Sequence, residues 1–244
     1  MRVTVHQPDF MPWLGFFARW RDSDLYVVLD DVQFLRRGWH HRDRIMTAAG
    51  PAWLTVPVRK SGRFNQDIRD VEVENGPWRR KHLAAIAAAY ARSPRFAEIF
   101  PLLEEVYGRD HARLMDLNLD ILRLFARLLG ITTPLTMASQ HGLAETGTAR
   151  LVRLCALHGA DAYLTGMGSR DYLDEALFTA CGIRVEWQEF RPAPYPQLHG
   201  AFVPCLSTLD FLMMARDALS SFAAQNTEPP QVDVTLESPA QSRG

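Results

Sequence analysis

Apolar and polar positions alternate in short runs at both ends of the chain and at helical spacing through its middle. RVTV, residues 2–5, reads as a short strand. HQPDFM breaks it, and Pro12 stands where the first residue of a helix needs no N–H. WLGFFARWR then spaces its apolar residues as a helix does. LYVVLD, residues 25–30, is a continuous apolar run ending in acid, the pattern of a buried parallel strand. Strand, loop, helix, strand predicts a βαβ unit.

Residues 31–76 change character. RDRIMTAAGPAWLTVPV predicts two strands joined at AAGP, IRDVEVENG a third short run, and RKSGRFNQ between them a polar loop. From Trp78 to Gly130 the periodicity is helical, with breaks at Ser93-Pro94 and Gly108, Asp110 as a cap and Gly130 as the stop. Strands then alternate with helices again: TPLTMAS, ETGTARLVRLCALHG, DAYLTG, SRDYLDEALFTACG, IRVEWQEF. RPAPYPQLHGAFVP is an extended excursion, and STLDFLMMARDAL a last helix capped by Ser207 or Thr208. This order predicts an α/β fold, an open, Rossmann-like and mainly parallel sheet with covering helices. One domain over 1–222 would carry a β-rich insertion at 40–76 and a helical subdomain at 77–130, and the polar residues 223–244 would be a disordered tail.

Charge narrows the function classes. The net charge is −1, so the basic excess that a nucleic-acid footprint needs is absent. The three cysteines are far apart and form no C-x-x-C, which argues against a zinc site and fits a reducing compartment. The N-terminus lacks the charged region, apolar core and cleavage site of a secretory signal, and no apolar run is long enough to span a bilayer. A cytoplasmic protein is expected.

Four stretches could carry chemistry. His6 and Gln7 fall at the carboxyl end of the first strand, where open α/β sheets bind ligands, facing the positive end of the next helix. They could donate to a phosphate or carboxylate; the plain alternative is a packed histidine in a proline-shaped turn. Asp30 and Asp31 close the second strand and could hold Mg²⁺ or a substrate amine, while Arg36, Arg37, Arg42 and Arg44 could neutralise phosphates. Here the alternative is a solvated charged loop. In LTGMGSRDYLDEALF, Gly166 permits close backbone approach at a strand end, with Ser169 as the cap of the next helix and Asp171 near its start. Neither a P-loop nor a dinucleotide fingerprint is present. In YPQLHGAFVPCLSTLDFL, Gln197, His199, Ser207 and Asp210 are polar among apolar neighbours, but no G-x-S-x-G elbow supports a triad.

Together these stretches resemble the WbqC-like family. Its pattern runs HQPNYLPWLGYF, LDDVQF, an R-x-x-x-x-R-x-R-I-like segment, WLTVPV, then SG…DYLDE…F…GI and Q…F.P.LS..DLL. The counterparts are His6–Phe17, Leu29–Phe34, Arg37–Ile45, Trp53–Val58, Thr165–Ile183 and Gln197–Leu212. Asp9 stands where asparagine is usual, as do His41 and Asp43, and Thr165 replaces a serine. The layout is also similar to the nucleotidyltransferase-like class that includes pantothenate synthetases, where a histidine-bearing loop grips ATP phosphates; this loop has one histidine rather than two.

The resemblance implies surface-polysaccharide, O-antigen or specialised-metabolite biosynthesis. The expected protein is a transferase of acyl or nucleotidyl groups, binding ATP or another nucleotide with or without Mg²⁺. Its small-molecule substrate would be a sugar nucleotide or an amino acid. His6, Gln7, Asp30 and Asp31 would be catalytic, with no protein-held metal. Pro8, Trp13, Gln33, Arg37, Arg42, Arg44, Gly166, Ser169, Asp171, Tyr172 and Gln197 would surround the substrate or nucleotide. Two other classes stay open: a non-catalytic accessory binding protein of a glycan pathway, and a hydrolase of phosphate or acyl esters.

Overall fold

A computed structural model describes residues 1–225. Five parallel strands form one sheet: β1 (Arg2–His6), β2 (Leu25–Val28), β5 (Leu135–Met137), β6 (Ala162–Gly166) and β7 (Arg184–Gln188), in the order β5-β2-β1-β6-β7. The fold is therefore open α/β, as the alternating pattern predicts. Successive residues serve opposite faces: Val3, Val5, Leu25 and Val27 enter one core, Tyr26 and Val28 the other. Helices cover both faces, which is why LYVV is apolar without a break. The core with Val3 and Val5 takes residues of α5 (Gly147–Leu157) and α6 (Glu175–Ala180). The other core takes α1 (Leu14–Arg21), the antiparallel hairpin β3 (Arg42–Thr47)–β4 (Gly50–Thr55), and helices α2 (Trp78–Tyr90), α3 (Phe96–Gly108) and α4 (Leu114–Leu128).

The topology turns at β1. The chain winds to one side through β2 and β5, then returns to add β6 and β7 on the other. β1 and β6 pair only through Arg2–Ala162 and Val3–Tyr163, so their carboxyl ends run on without pairing to each other. An open α/β sheet binds ligands at such a reversal, beyond the carboxyl ends of the strands.

Several predicted elements are corrected. Helix α1 begins at Leu14 with Trp13 as its N-cap, so Pro12 precedes the helix rather than opening it. IRDVEVENG is not a strand: it forms a short 3-10 turn, Ile68–Asp70, followed by single bridges from Val73 to Val58 and from Glu72 to Arg113. Asp110 caps nothing; α4 starts at Leu114 after Arg113. Ser169 sits in a 3-10 turn, and the helix after it starts only at Glu175, because the Asp174 carboxylate accepts the Ala176 N–H and caps it there. The last helix is two helices, α7 (Thr208–Met214) and α8 (Ala218–Ala224), since Asp217 caps a second start. Residues 223–225, expected in a disordered tail, complete α8 and its cap, and the Gln225 side chain accepts the Ala193 N–H. The rest of that predicted tail, 226–244, lies outside the described residues. Among the described residues, no helix is long and apolar enough to cross a membrane.

Candidate functional site

The loop after β1 is held from beneath. Asn118 of α4, fully buried, donates to the carbonyls of both Pro8 and His40 at 2.8 Å. The Phe10 N–H donates to the Trp39 carbonyl, which lays the approach to the hairpin beside the loop. Trp13 packs its ring edge against Phe190 and pairs with Ser207. His6 therefore stands at a fixed point at the end of β1.

Its chemistry differs from the expectation. Nδ1 lies 2.9 Å from the Gln7 carbonyl and so carries the hydrogen. Burial, then the nearby Arg19 guanidinium, pushes the imidazole down to about 4, so the ring is neutral at pH 7. In that tautomer Nε2 is an acceptor, not the phosphate donor expected. The ring is 35% exposed, edge-on to Phe16. The Asp9 carboxylate lies 3.1 Å from His40 Nδ1, within hydrogen-bond reach, and 3.9 Å from His6 Nδ1, outside it. The Gln7 side chain makes no hydrogen bond among the described residues; its carbonyl serves His6.

The positive charge comes from Arg19 instead. It lies within α1, only 6% exposed, and reaches the ends of the two strands beyond the reversal. Nη1 donates to Gln188 Oε1 at the end of β7, 3.0 Å away. A Cβ on Gly166, the last residue of β6, would lie 2.7 Å from that same Nη1, so glycine makes room for the guanidinium. No carboxylate pairs with Arg19 among the described residues, and burial lowers its pKa. The Gln188 Nε2 is buried and has no partner among the described residues. The Asp9 carboxylate acts on Arg19 only through space, and a buried cation held in no ion pair, beside a buried donor without an acceptor, is costly unless a ligand completes it. An anion satisfies both.

The other predicted residues scatter. Gly166 and Ser169 belong to this edge: Ser169 Oγ donates to the Gly166 carbonyl and lies 2.8 Å from Thr165 Oγ1, fixing the turn. Tyr172 and Asp171 follow it, both exposed, and Tyr172 is close enough to act on the Arg19 charge. Asp30 and Asp31 are structural in their contacts. Asp30 is buried and accepts the Ser139 N–H at the end of β5. Asp31 forms a buried ion pair with Arg150, which also donates to the Leu143 and Glu145 carbonyls. Among the described residues, no group of three or more His, Cys, Asp or Glu side chains could hold a metal.

Gln33 donates to the Phe64 carbonyl on the outer loop. Gln197 holds the extended segment, exchanging bonds with Val203 and donating to the buried Asp210, which also accepts from Tyr90 and Tyr195. Ser207 caps α7 and His199 meets the Ala89 carbonyl, so these residues form no triad. Arg42 and Arg44 lie over the Trp53 ring, and Arg37 supplies a carbonyl to Arg42. Sequence reasoning missed Arg19, Gln188, Asp9 and Asn118. Arg19 had a signal: an arginine inside the otherwise apolar run LGFFARW.

The fold and this edge define an open α/β protein with a buried arginine at the point where its strand order reverses. The chain belongs to the WbqC-like protein family, whose model matches residues 7–220. It is also 36% identical over 213 residues to the uncharacterized protein Rv1507c of Mycobacterium tuberculosis (strain ATCC 25618 / H37Rv), covering 86% of this chain and 92% of that one. No solved structure matches.

Proposed function

We propose that this chain is a transferase that binds a nucleotide, or a nucleotide-activated substrate, in the crevice between the carboxyl ends of β1 and β6. It would move an acyl or nucleotidyl group in surface-polysaccharide, O-antigen or specialised-metabolite biosynthesis. The observation that carries the reading is Arg19: a buried guanidinium in no ion pair among the described residues, at the strand reversal, next to a Gln188 amide whose Nε2 has no partner among them.

In this reading Arg19 and Gln188 hold the phosphate of the activated donor. The charge that builds on the leaving phosphate falls on a guanidinium already in place, which costs no reorganisation as the bond breaks. The neutral His6 offers Nε2 to the N–H or O–H of the acceptor. As the acceptor attacks, its proton passes to Nε2 and the phosphate leaves with the bonding pair. The bound anion raises the basicity of His6, whose proton at Nδ1 stays with the Gln7 carbonyl.

Thermal unfolding against ATP, other nucleotides and sugar nucleotides, with and without Mg²⁺, tests this. A ligand of the folded state raises the midpoint. One ligand class should do so in the wild type and fail in Arg19→Met. No shift with any ligand, or an undiminished shift in both Arg19→Met and His6→Ala, overturns the reading.

A further inference from the structure

The outer face of the β3–β4 hairpin carries charge that the crevice does not use. Pairing of Arg44 with Trp53 and of Arg42 with Thr55 puts Arg42, Arg44 and Trp53 on one face, while Asp43 and Ile45 are buried on the other. The Arg42 and Arg44 guanidinium carbons stand 4.6 and 5.7 Å from the centre of one indole, that of Trp53. Trp39 lies against the same indole, ring centres 5.5 Å apart. Both rings are open to solvent, Trp39 39% and Trp53 47% exposed.

Among the described residues Arg42 gives one side-chain hydrogen bond, to the Arg37 carbonyl, the Arg44 side chain makes none, and the Nε of each is buried without a partner. Among the described residues no carboxylate forms an ion pair with Arg36, Arg37, Arg42 or Arg44. Asp43 sits behind them on the core face, where burial pushes its carboxyl well up and weakens it as a counter-ion.

An arginine stacked on an indole loses water from its faces but keeps its N–H edge for a ligand. Two of them at one indole repel, and an anion with two charges relieves both at once. Charge complementarity thus fits a diphosphate better than a single phosphate or carboxylate. No hydrogen bond, ion pair or ring contact joins this face to His6, Arg19 or Gln188 among the described residues.

We propose that the Arg42–Arg44–Trp53 face is a second binding site, which holds the diphosphate group of a diphosphate ester whose attached ring packs on Trp39. This site does not depend on the crevice reading. Titration calorimetry on the full-length Arg19→Met chain, with inorganic pyrophosphate, inorganic phosphate and ADP as probes, tests it with the crevice disabled. Pyrophosphate should bind at least ten times more tightly than phosphate. Arg42→Gln/Arg44→Gln should weaken pyrophosphate at least tenfold, with the unfolding midpoint retained because both side chains are only half-buried and neither is in an ion pair among the described residues. Trp39→Ala should weaken ADP at least threefold and leave pyrophosphate unchanged. No pyrophosphate binding in the Arg19→Met chain, equal affinity for phosphate and pyrophosphate, or an affinity unmoved by the paired arginine change overturns the proposal. Failure of the nucleotide panel in the wild type would strike the crevice reading alone.

Discussion

Replacing Arg19 by methionine should make the protein more stable and less able to bind. Taking a guanidinium out of water costs several kcal/mol even after the surroundings relax. Arg19 is 6% exposed, pairs with no acid among the described residues, and recovers part of that cost through one bond to Gln188. A charge-assisted hydrogen bond of this kind returns about 1.5–3 kcal/mol. Methionine fills much of the same volume without the charge, and Gln188 is only half-buried, so its freed Oε1 costs less than an acceptor stranded in the core. The net expectation is a gain of about 1–3 kcal/mol. For a chain of this size each kcal/mol moves the midpoint by about 2–4 °C, so the rise should be roughly 2–12 °C. Urea unfolding of the two proteins, with equal slopes, measures it. Nucleotide binding should fall in the same variant, the trade of stability against function expected at a site held ready for a ligand. A loss of more than about 2 kcal/mol would refute the reasoning, since it would make Arg19 a structural residue with a compensated charge.

Three further outcomes follow from other contacts. Asp31→Ala strands Arg150 in the core and should cost about 3–5 kcal/mol in urea unfolding; unchanged stability with lost activity would restore the catalytic role first expected of Asp31. Gly166→Ala pushes only the far end of the flexible Arg19 side chain, so it should cost at most about 1 kcal/mol while weakening nucleotide binding; full binding would place the ligand elsewhere. His82 is buried between the Tyr107 hydroxyl and the Thr55 carbonyl, and burial pushes it down to about 4. The unfolded chain takes up that proton near 6.5, so the stability His82 contributes is whole above that pH and drains away as pH falls toward 4, by about 2 kcal/mol at pH 5. The wild type should lose that much more than His82→Gln between pH 7 and 5; equal losses would show that the ring is protonated in the fold. Asp43 and Asp210, pushed up by burial, act with the opposite sign in this range and cancel in the comparison.

The sequence by itself determined the parts of this protein that local patterns govern. A buried strand reads as LYVV because both faces are covered, and the alternation of strands and helices is the parallel sheet seen here. The HQP and LDDVQF stretches marked the family, and His6 is where the end of the first strand put it. Caps at Asp174 and Asp217 were readable residues with an unreadable effect, because whether a helix restarts depends on what packs beyond the cap. The site itself was decided only in three dimensions. Asp30 and Asp31 have the look of catalytic carboxylates until Ser139 and Arg150, more than a hundred residues away, occupy them. Arg19 reads as one more arginine on a helix until residues 166 and 188 close over it. A charge is functional or structural according to what compensates it, and the groups that could compensate it come from distant stretches of the chain, brought near only by the order of the strands.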